Sequence, residues 1–238
     1  MKKFLFFLFC FVFTLAFTLS SASNTTHAED NLGKSQYNTS DYDQLVREDA
    51  LDPSVSRKQW EELKQEAYKE DQKMRKEPAV DTYSKSKYHM RAGDVLISNG
   101  TSGSFHLPGH AAIAISSKKL VHIAGPKAHP ATHSLKWFKK RYTKHHSYIK
   151  MYRPKKKSAG KKAAKWSRKN IVGHKWHYQI NNKRNEVHPT YCSKIVYQAY
   201  KKGVGSGTMK TSSKIILPLQ LPQYSHGSGK LHRVKTFR

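Results

Sequence analysis

Short apolar runs separated by turn residues dominate the chain from about residue 88 onward. Arg91-Ala92-Gly93-Asp94 leads into Val95-Leu96-Ile97-Ser98, a run of strand length, and Asn99-Gly100 with Ser102-Gly103 marks a loop. His110-Ala111-Ala112-Ile113-Ala114-Ile115 and Leu120-Val121-His122-Ile123-Ala124 predict two strands joined as a hairpin through Ser-Ser-Lys-Lys. Residues 134–142, with Leu135, Trp137 and Phe138, predict a short helix, and residues 147–152 and 231–237 predict strands. Ala163, Ala164 and Trp166 in lysine-rich 155–170 predict a basic amphipathic helix, as a charged face on the domain or a polyanion contact. Ile195, Val196, Ala199 and Tyr200 recur at helical spacing, and Gly203 supplies the stop. Thr190 is a fair N-cap for this last helix, which puts Cys192 in its first turn.

Upstream the pattern differs. Residues 24–42 are polar and aperiodic and read as a linker. Ser54 or Ser56 is placed to cap a helix over 57–76, whose sparse stripe is Trp60, Leu63, Ala67 and Tyr68. Glu70 and Lys73 are spaced as a solvated pair, and Glu77-Pro78 ends the run. The expectation is an exposed helix docked by Trp60 and Leu63, with no chemistry of its own.

Met1-Lys2-Lys3, an apolar run over 4–19 and the small residues Ser20-Ser21-Ala22-Ser23 fit a secretory signal peptide. Cleavage is expected after Ala22 or Ser23, with Thr26-His27-Ala28 as a second site; the alternative is an uncleaved anchor. The expected organisation is a signal peptide (1–23), a linker with an acidic helix (24–81) and one domain (82–238). Cys10 would leave with the signal, so Cys192 would be the single mature cysteine, excluding an internal disulfide. A lone cysteine in an exported chain points to a reactive thiol or intermolecular pairing, against the alternative of a small buried hydrophobe.

Charge sharpens the division. Fourteen of the sixteen acids lie between Glu29 and Asp81, and only Asp94 and Glu186 follow, against 33 Lys and Arg beyond residue 81. Such a field attracts polyanions: anionic wall polymers or lipid head groups for an exported chain, rather than a specific nucleic acid. It says nothing about fold.

The candidate chemistry centres on Cys192. A thiol in the first turn of a helix faces unbonded N–H groups and the positive end of the dipole, which favour thiolate. A neighbouring imidazole would accept its proton and later deliver it to the leaving group. His110 and His122 are rigidly held candidates, one on each strand of the hairpin. They share a face only if the loop between the innermost paired positions is odd, for example with Ile115 opposite Lys119. His106, His129, His133, His145, His146, His174, His177 and His188 are expected at the surface or in loops. Histidines are not paired at helical spacing with an acid, so no metal site is expected, and no phosphate-cradling glycine loop or cofactor site is seen.

Gly93-Asp94-Val95-Leu96, Gly109-His110-Ala111-Ala112-Ile113, Leu120-Val121-His122-Ile123-Ala124 and Tyr191-Cys192-Ser193-Lys194-Ile195-Val196, in that order, resemble the NlpC-type cysteine peptidase superfamily. The order, with His before Cys, resembles its circularly permuted YiiX/YaeF-like branch. The resemblance runs from about residue 88 to the C-terminus and includes Ile215-Ile216-Leu217-Pro218. It implies an α+β, circularly permuted papain-like fold, a small antiparallel sheet or barrel packed on helices, with the helix at 57–76 as an extra element. It implies Cys192 as nucleophile, His110 as base and His122 as the third polar residue, with Asp94 structural and Tyr191 a candidate oxyanion donor. The activity implied is thiol hydrolysis of amide or ester bonds, on cell-wall peptides or acyl amides, by a secreted, wall-associated enzyme. The alternative is a non-catalytic cationic protein that binds wall or membrane.

Overall fold

The computed structural model describes residues 41–78, 89–100 and 108–238, all within one compact unit, Ser40–Arg238. The expected signal peptide, most of the linker, Cys10, Ser102-Gly103 and His106 lie outside the described residues. Six strands, β1 (Val95–Ser98), β2 (His110–Ala114), β3 (Leu120–His122), β4 (Ala131–His133), β5 (Ile149–Pro154) and β6 (Leu231–Phe237), form one open antiparallel sheet. Their order is β4-β3-β2-β1-β5-β6. Six α-helices accompany it among the described residues: α1 (Tyr42–Arg47), α2 (Arg57–Lys76), α3 (Leu135–Tyr142), α4 (Lys157–Asn170), α5 (Cys192–Gly203) and α6 (Leu221–Tyr224). The fold is α+β, and its sheet keeps β4 and β6 as edges instead of closing into a barrel.

Alternation along the strands divides the core into two layers. Leu96, Ala112, Ala114, Leu120, Ile149 and Met151 lie on one side, covered by Phe138 and Tyr142 of α3. Ser134 caps α3 by accepting from the Trp137 N–H (3.2 Å). Helix α5 packs on β2 and on α4, which buries its small residues Ala159, Gly160, Ala163 and Ala164. This is why the lysines of α4 crowd its other side: the alanine stripe is the docking face. Small residues let the backbones approach closely. An ideal Cβ on Gly93, whose φ is +90°, would lie 2.1 Å from the Cα of Gly160.

Asp94 closes the start of β1. It is fully buried, accepts the Arg91 N–H (2.7 Å), and receives Arg153 Nε and NH2 at 2.9 and 2.8 Å. This two-pronged bond ties β1 to β5, so Asp94 is structural here, as the Gly-Asp turn suggested.

Helix α2 is anchored more deeply than its sparse apolar stripe suggests. Ser56 caps it, and Trp60 and Leu63 are buried as expected. Its polar side also docks. Asp71, buried, accepts from the Tyr148 hydroxyl (2.9 Å) and from Arg75 Nε (3.1 Å). Glu77, just past the helix end, accepts from both Lys150 and Arg233 at 2.7 Å. Glu77 thus neutralises cations of β5 and β6. Three labelled elements escaped the sequence reading: α1, which lies where a linker was expected to end, β4, a three-residue edge strand too short to show alternation, and α6, a single turn of helix.

Replacing Gly93 with Ala should strain the backbone and force the β1 turn away from α4. We expect a loss of about 1–3 kcal/mol in urea unfolding, with the m-value unchanged.

Candidate functional site

The hairpin sets the geometry. Ile113 pairs with Val121 and Ala114 with Leu120, and the Ile115 N–H reaches the Lys119 carbonyl at 2.9 Å. Three residues, 116–118, therefore separate the innermost pair. The odd count puts His110 and His122 on the same face, and His110 Nε2 lies 2.9 Å from His122 Nδ1. Both rings are buried, and their centroids are 5.0 Å apart in an edge-to-face arrangement.

Helix α3 holds this pair. Tyr142 stacks flat on His110 at 4.4 Å and 6°, and Phe138 packs against both imidazoles. Ser98, opposite His110 in the ladder, donates from Oγ to the Tyr142 carbonyl (2.9 Å) and so fixes the end of α3. His122 Nε2 is buried among the rings of His133, Trp137, Phe138 and Tyr142, without a hydrogen-bond partner among the described residues. Burial, then the nearby His133 and Arg141, push His122 down to about 3, so it is neutral at any ordinary pH. His133 is no simple surface histidine. It stacks on Trp137 at 3.5 Å and lies 5.3 Å from His122.

Cys192 is the first residue of α5, as expected, but the cap differs. Tyr191 is the N-cap and gives no side-chain bond, and Thr190 Oγ1 is buried without a partner among the described residues. The backbone N–H groups of Ala111, Ser193 and Cys192 itself, with the Ser193 hydroxyl, lie toward the sulfur and pull its thiol down. Ala111 follows His110, so the thiol lies against the end of β2 at which His110 begins the strand. The ladder explains why this N–H is on offer. Ala114 bonds toward β1 and Ile115 toward β3, so Ala111, like Ile115, points to the β3 side. There β3 has already ended at His122, and α5 inserts the thiol instead.

Burial outweighs these donors. Cys192 is only 2% exposed, and desolvation pushes its thiol up to about 11. The helix start was expected to favour thiolate, and it does; removal from water is the larger effect. The resting thiol is neutral.

Two neighbours of Cys192 serve to fix it in place. The Tyr191 hydroxyl accepts the Ile216 N–H (2.9 Å), and Ser193 Oγ donates to the Ile216 carbonyl (2.6 Å). Tyr191 is thereby engaged as a tie to the 215–218 segment. Lys194 is fully buried, donates to the Pro189 carbonyl (2.9 Å) and to Asn181 Oδ1 (3.2 Å), and is pushed down to about 8 by burial. It ties the chain before the helix onto α5. Among the described residues, no set of three or more His, Cys, Asp or Glu side chains is gathered as a metal site.

With this arrangement in view, comparison with known proteins is informative. A family model described as lipoprotein N-acylation protein LnsA-like matches residues 67–237, from the middle of α2 to the end of β6. An uncharacterized 30.3 kDa protein of Bacillus thuringiensis is 31% identical over 160 residues, or 63% of this chain. The chain covers 58% of that relative's length. No solved structure matches. The matched span takes in both histidines, the cysteine and the second half of α2, and the chain belongs to the LnsA-like family of lipoprotein N-acylation proteins, within the YaeF/YiiX-like papain-like superfamily.

Proposed function

We propose that this protein is a thiol acyltransferase with a permuted, NlpC-type papain-like site, acting outside the cytoplasm. In this reading Cys192 carries an acyl group from an ester donor to an amine. What supports it is a buried neutral thiol beside the Ala111 N–H, one residue along β2 from a hairpin-held, buried His110–His122 pair. The family's association with lipoprotein N-acylation favours a lipid ester as donor and an amino group on a lipoprotein as acceptor.

The chemistry follows from the proton positions. With Nε2 of His110 turned to His122, the nitrogen that serves the thiol is Nδ1. His110 then keeps its proton on Nε2 and donates to His122 Nδ1, which stays an acceptor because His122 cannot protonate near neutral pH. His110 takes the thiol proton as sulfur attacks the ester carbonyl. The Cys192 and Ala111 N–H groups are placed to receive the developing oxyanion. Collapse expels the alkoxide, which takes the proton from His110, and leaves a thioester. A neutral amine then attacks the thioester, His110 accepts its proton, and Cys192 leaves as thiol once more. Each half-reaction returns the proton it borrowed.

Hydrolysis of amides, including cell-wall peptides, would share every step except the acceptor. Burial of the site favours the amine, because a thioester kept from water lives long enough to meet it. The deciding experiment incubates the chain with phospholipid and a diacylated lipopeptide bearing a free amine, and reads products by mass spectrometry. The expected results are a Cys192 acyl-enzyme and an N-acylated peptide, both lost in Cys192→Ala. Free fatty acid with no amide would show a hydrolase, and unchanged turnover in Cys192→Ala would sink the reading altogether.

The neutral thiol has its own signature. Alkylation of Cys192 by iodoacetamide should accelerate steadily as pH rises from 7 toward 11. A plateau below pH 7 would instead reveal a standing thiolate–imidazolium pair.

Burial of neutral His122 also makes stability depend on acid. Its folded value lies below the ordinary 6.5, so the unfolded chain binds the proton first. The contribution is full above about 6.5 and is lost as pH falls toward 3; the shift corresponds to roughly 5 kcal/mol. His122→Gln should therefore show a flatter loss of unfolding free energy between pH 7 and 3 than the parent chain, measured by urea titration.

A further inference from the structure

At the opposite end of β1 from the catalytic pair, a cavity of about 220 Å³ is lined by Arg91, Asp94, Arg153, Lys155, Lys157 and His232, with Ala92 and Pro154. His110 pairs with Ser98 at one end of β1, whereas Asp94 precedes Val95 at the other. Four strand rises, about 13 Å, separate the two ends, so the cavity is distinct from the acyl-transfer site.

Its charge is lopsided. The single acid, Asp94, is already committed: both carboxylate oxygens accept from Arg153, and one also accepts the Arg91 N–H. Arg153 is in turn held by Asp94 and donates to the His89 carbonyl. The remaining cations, Arg91, Lys155 and Lys157, are exposed, and no salt bridge engages them among the described residues. Three side chains with unspent charge thus converge on a cavity whose one negative group is neutralised from behind.

The backbone holds this convergence in place. Lys155 donates its N–H to the Lys230 carbonyl (2.8 Å), and Lys156 to that of Ser228 (3.0 Å), so the crossing from β5 into α4 is pinned to the start of β6. Arg91 is fixed through its own N–H to Asp94. Like charges are not brought together on rigid backbone without cost unless something compensates them. The first turn of α4 carries no acid to do so.

We propose that this cavity is a second binding site, for a phosphate group carried on an ester such as a glycerophosphate. A guanidinium and two ammonium groups match the several oxygens of such an anion, with Arg91 able to take two of them side by side. His232, exposed at the rim, adds a further donor. The proposal stands independently of the acyl-transfer reading, since none of these residues reaches Cys192, His110 or His122. It gives the basic surface a defined point of engagement in place of a diffuse field.

The test uses the full chain and two probes, sn-glycerol 3-phosphate in solution and vesicles of phosphatidylglycerol compared with phosphatidylcholine. The variant Arg91→Gln/Lys155→Gln/Lys157→Gln is compared with Lys161→Gln/Lys165→Gln/Lys169→Gln, which removes the same charge from exposed positions of α4 outside the cavity. Titration calorimetry and vesicle co-sedimentation read binding. The cavity variant should weaken binding by about tenfold or more, with the control triple nearly unchanged. Loss toward both probes identifies a lipid head group as an accepted source, and loss toward the soluble probe alone identifies free phosphate esters. Equal loss in both triples, no loss in the cavity variant, or no binding by the parent chain overturns the proposal. Turnover at Cys192 on a soluble ester should be the same in all three chains.

Discussion

Three residues stand between Ile115 and Lys119, and in a strand each residue faces the side opposite to its neighbour. That parity brings His110 and His122 to one face within hydrogen-bonding distance, and the same parity turns the Ala111 N–H toward the strand that has just ended. A loop one residue longer or shorter would send one imidazole to the α5 side of the sheet. Helix α3 has its rings placed for this register, with Tyr142 flat on His110 and Phe138 against both histidines. The meeting of the two imidazoles thus depends on one count of residues in one turn.

Around that register the sheet is clamped at its ends. Asp94 and Arg153 fasten β1 to β5, and Glu77 fastens α2 to β5 and β6 through Lys150 and Arg233. These are ion pairs with buried or half-buried members, where losing one partner leaves the other's charge uncompensated. The uneven charge of the sequence gains a physical sense here. A strongly basic domain is fitted with an upstream segment whose Glu77 carboxylate reaches two of its cations, Lys150 and Arg233.

Much of this was legible in the residues. Alternating and continuous apolar runs marked β1, β2, β3 and β5, a serine at 54 or 56 announced α2, the spacing of Leu135, Trp137 and Phe138 announced α3, and the hairpin's parity could be posed as a question before it was answered. The cysteine at the start of α5 was legible because helical spacing runs on from Ile195 to Tyr200. What stayed hidden depends on tertiary placement. Nothing local in residues 131–133 marks an edge strand, and nothing in the sequence near Cys192 reports how completely α5, β2 and the 215–218 segment remove it from water. A helix start can be read from a sequence, but the desolvation that overrides it cannot. The Thr190 cap failed for a related reason: the bend into α5 is held by Tyr191 and Ser193 gripping Ile216, so no side-chain cap is required.

The protonated thiol also bears on how long the nucleophile survives between turnovers. Peroxides and disulfides attack thiolate, so a cysteine permanently ionised by its neighbours is consumed by the same reactivity that makes it useful. Cys192, at about 11, offers almost no thiolate at rest. The dry pocket that slows its chemistry thereby lengthens its oxidative lifetime, and the chain holds no second cysteine among its described residues to rescue a damaged one through exchange.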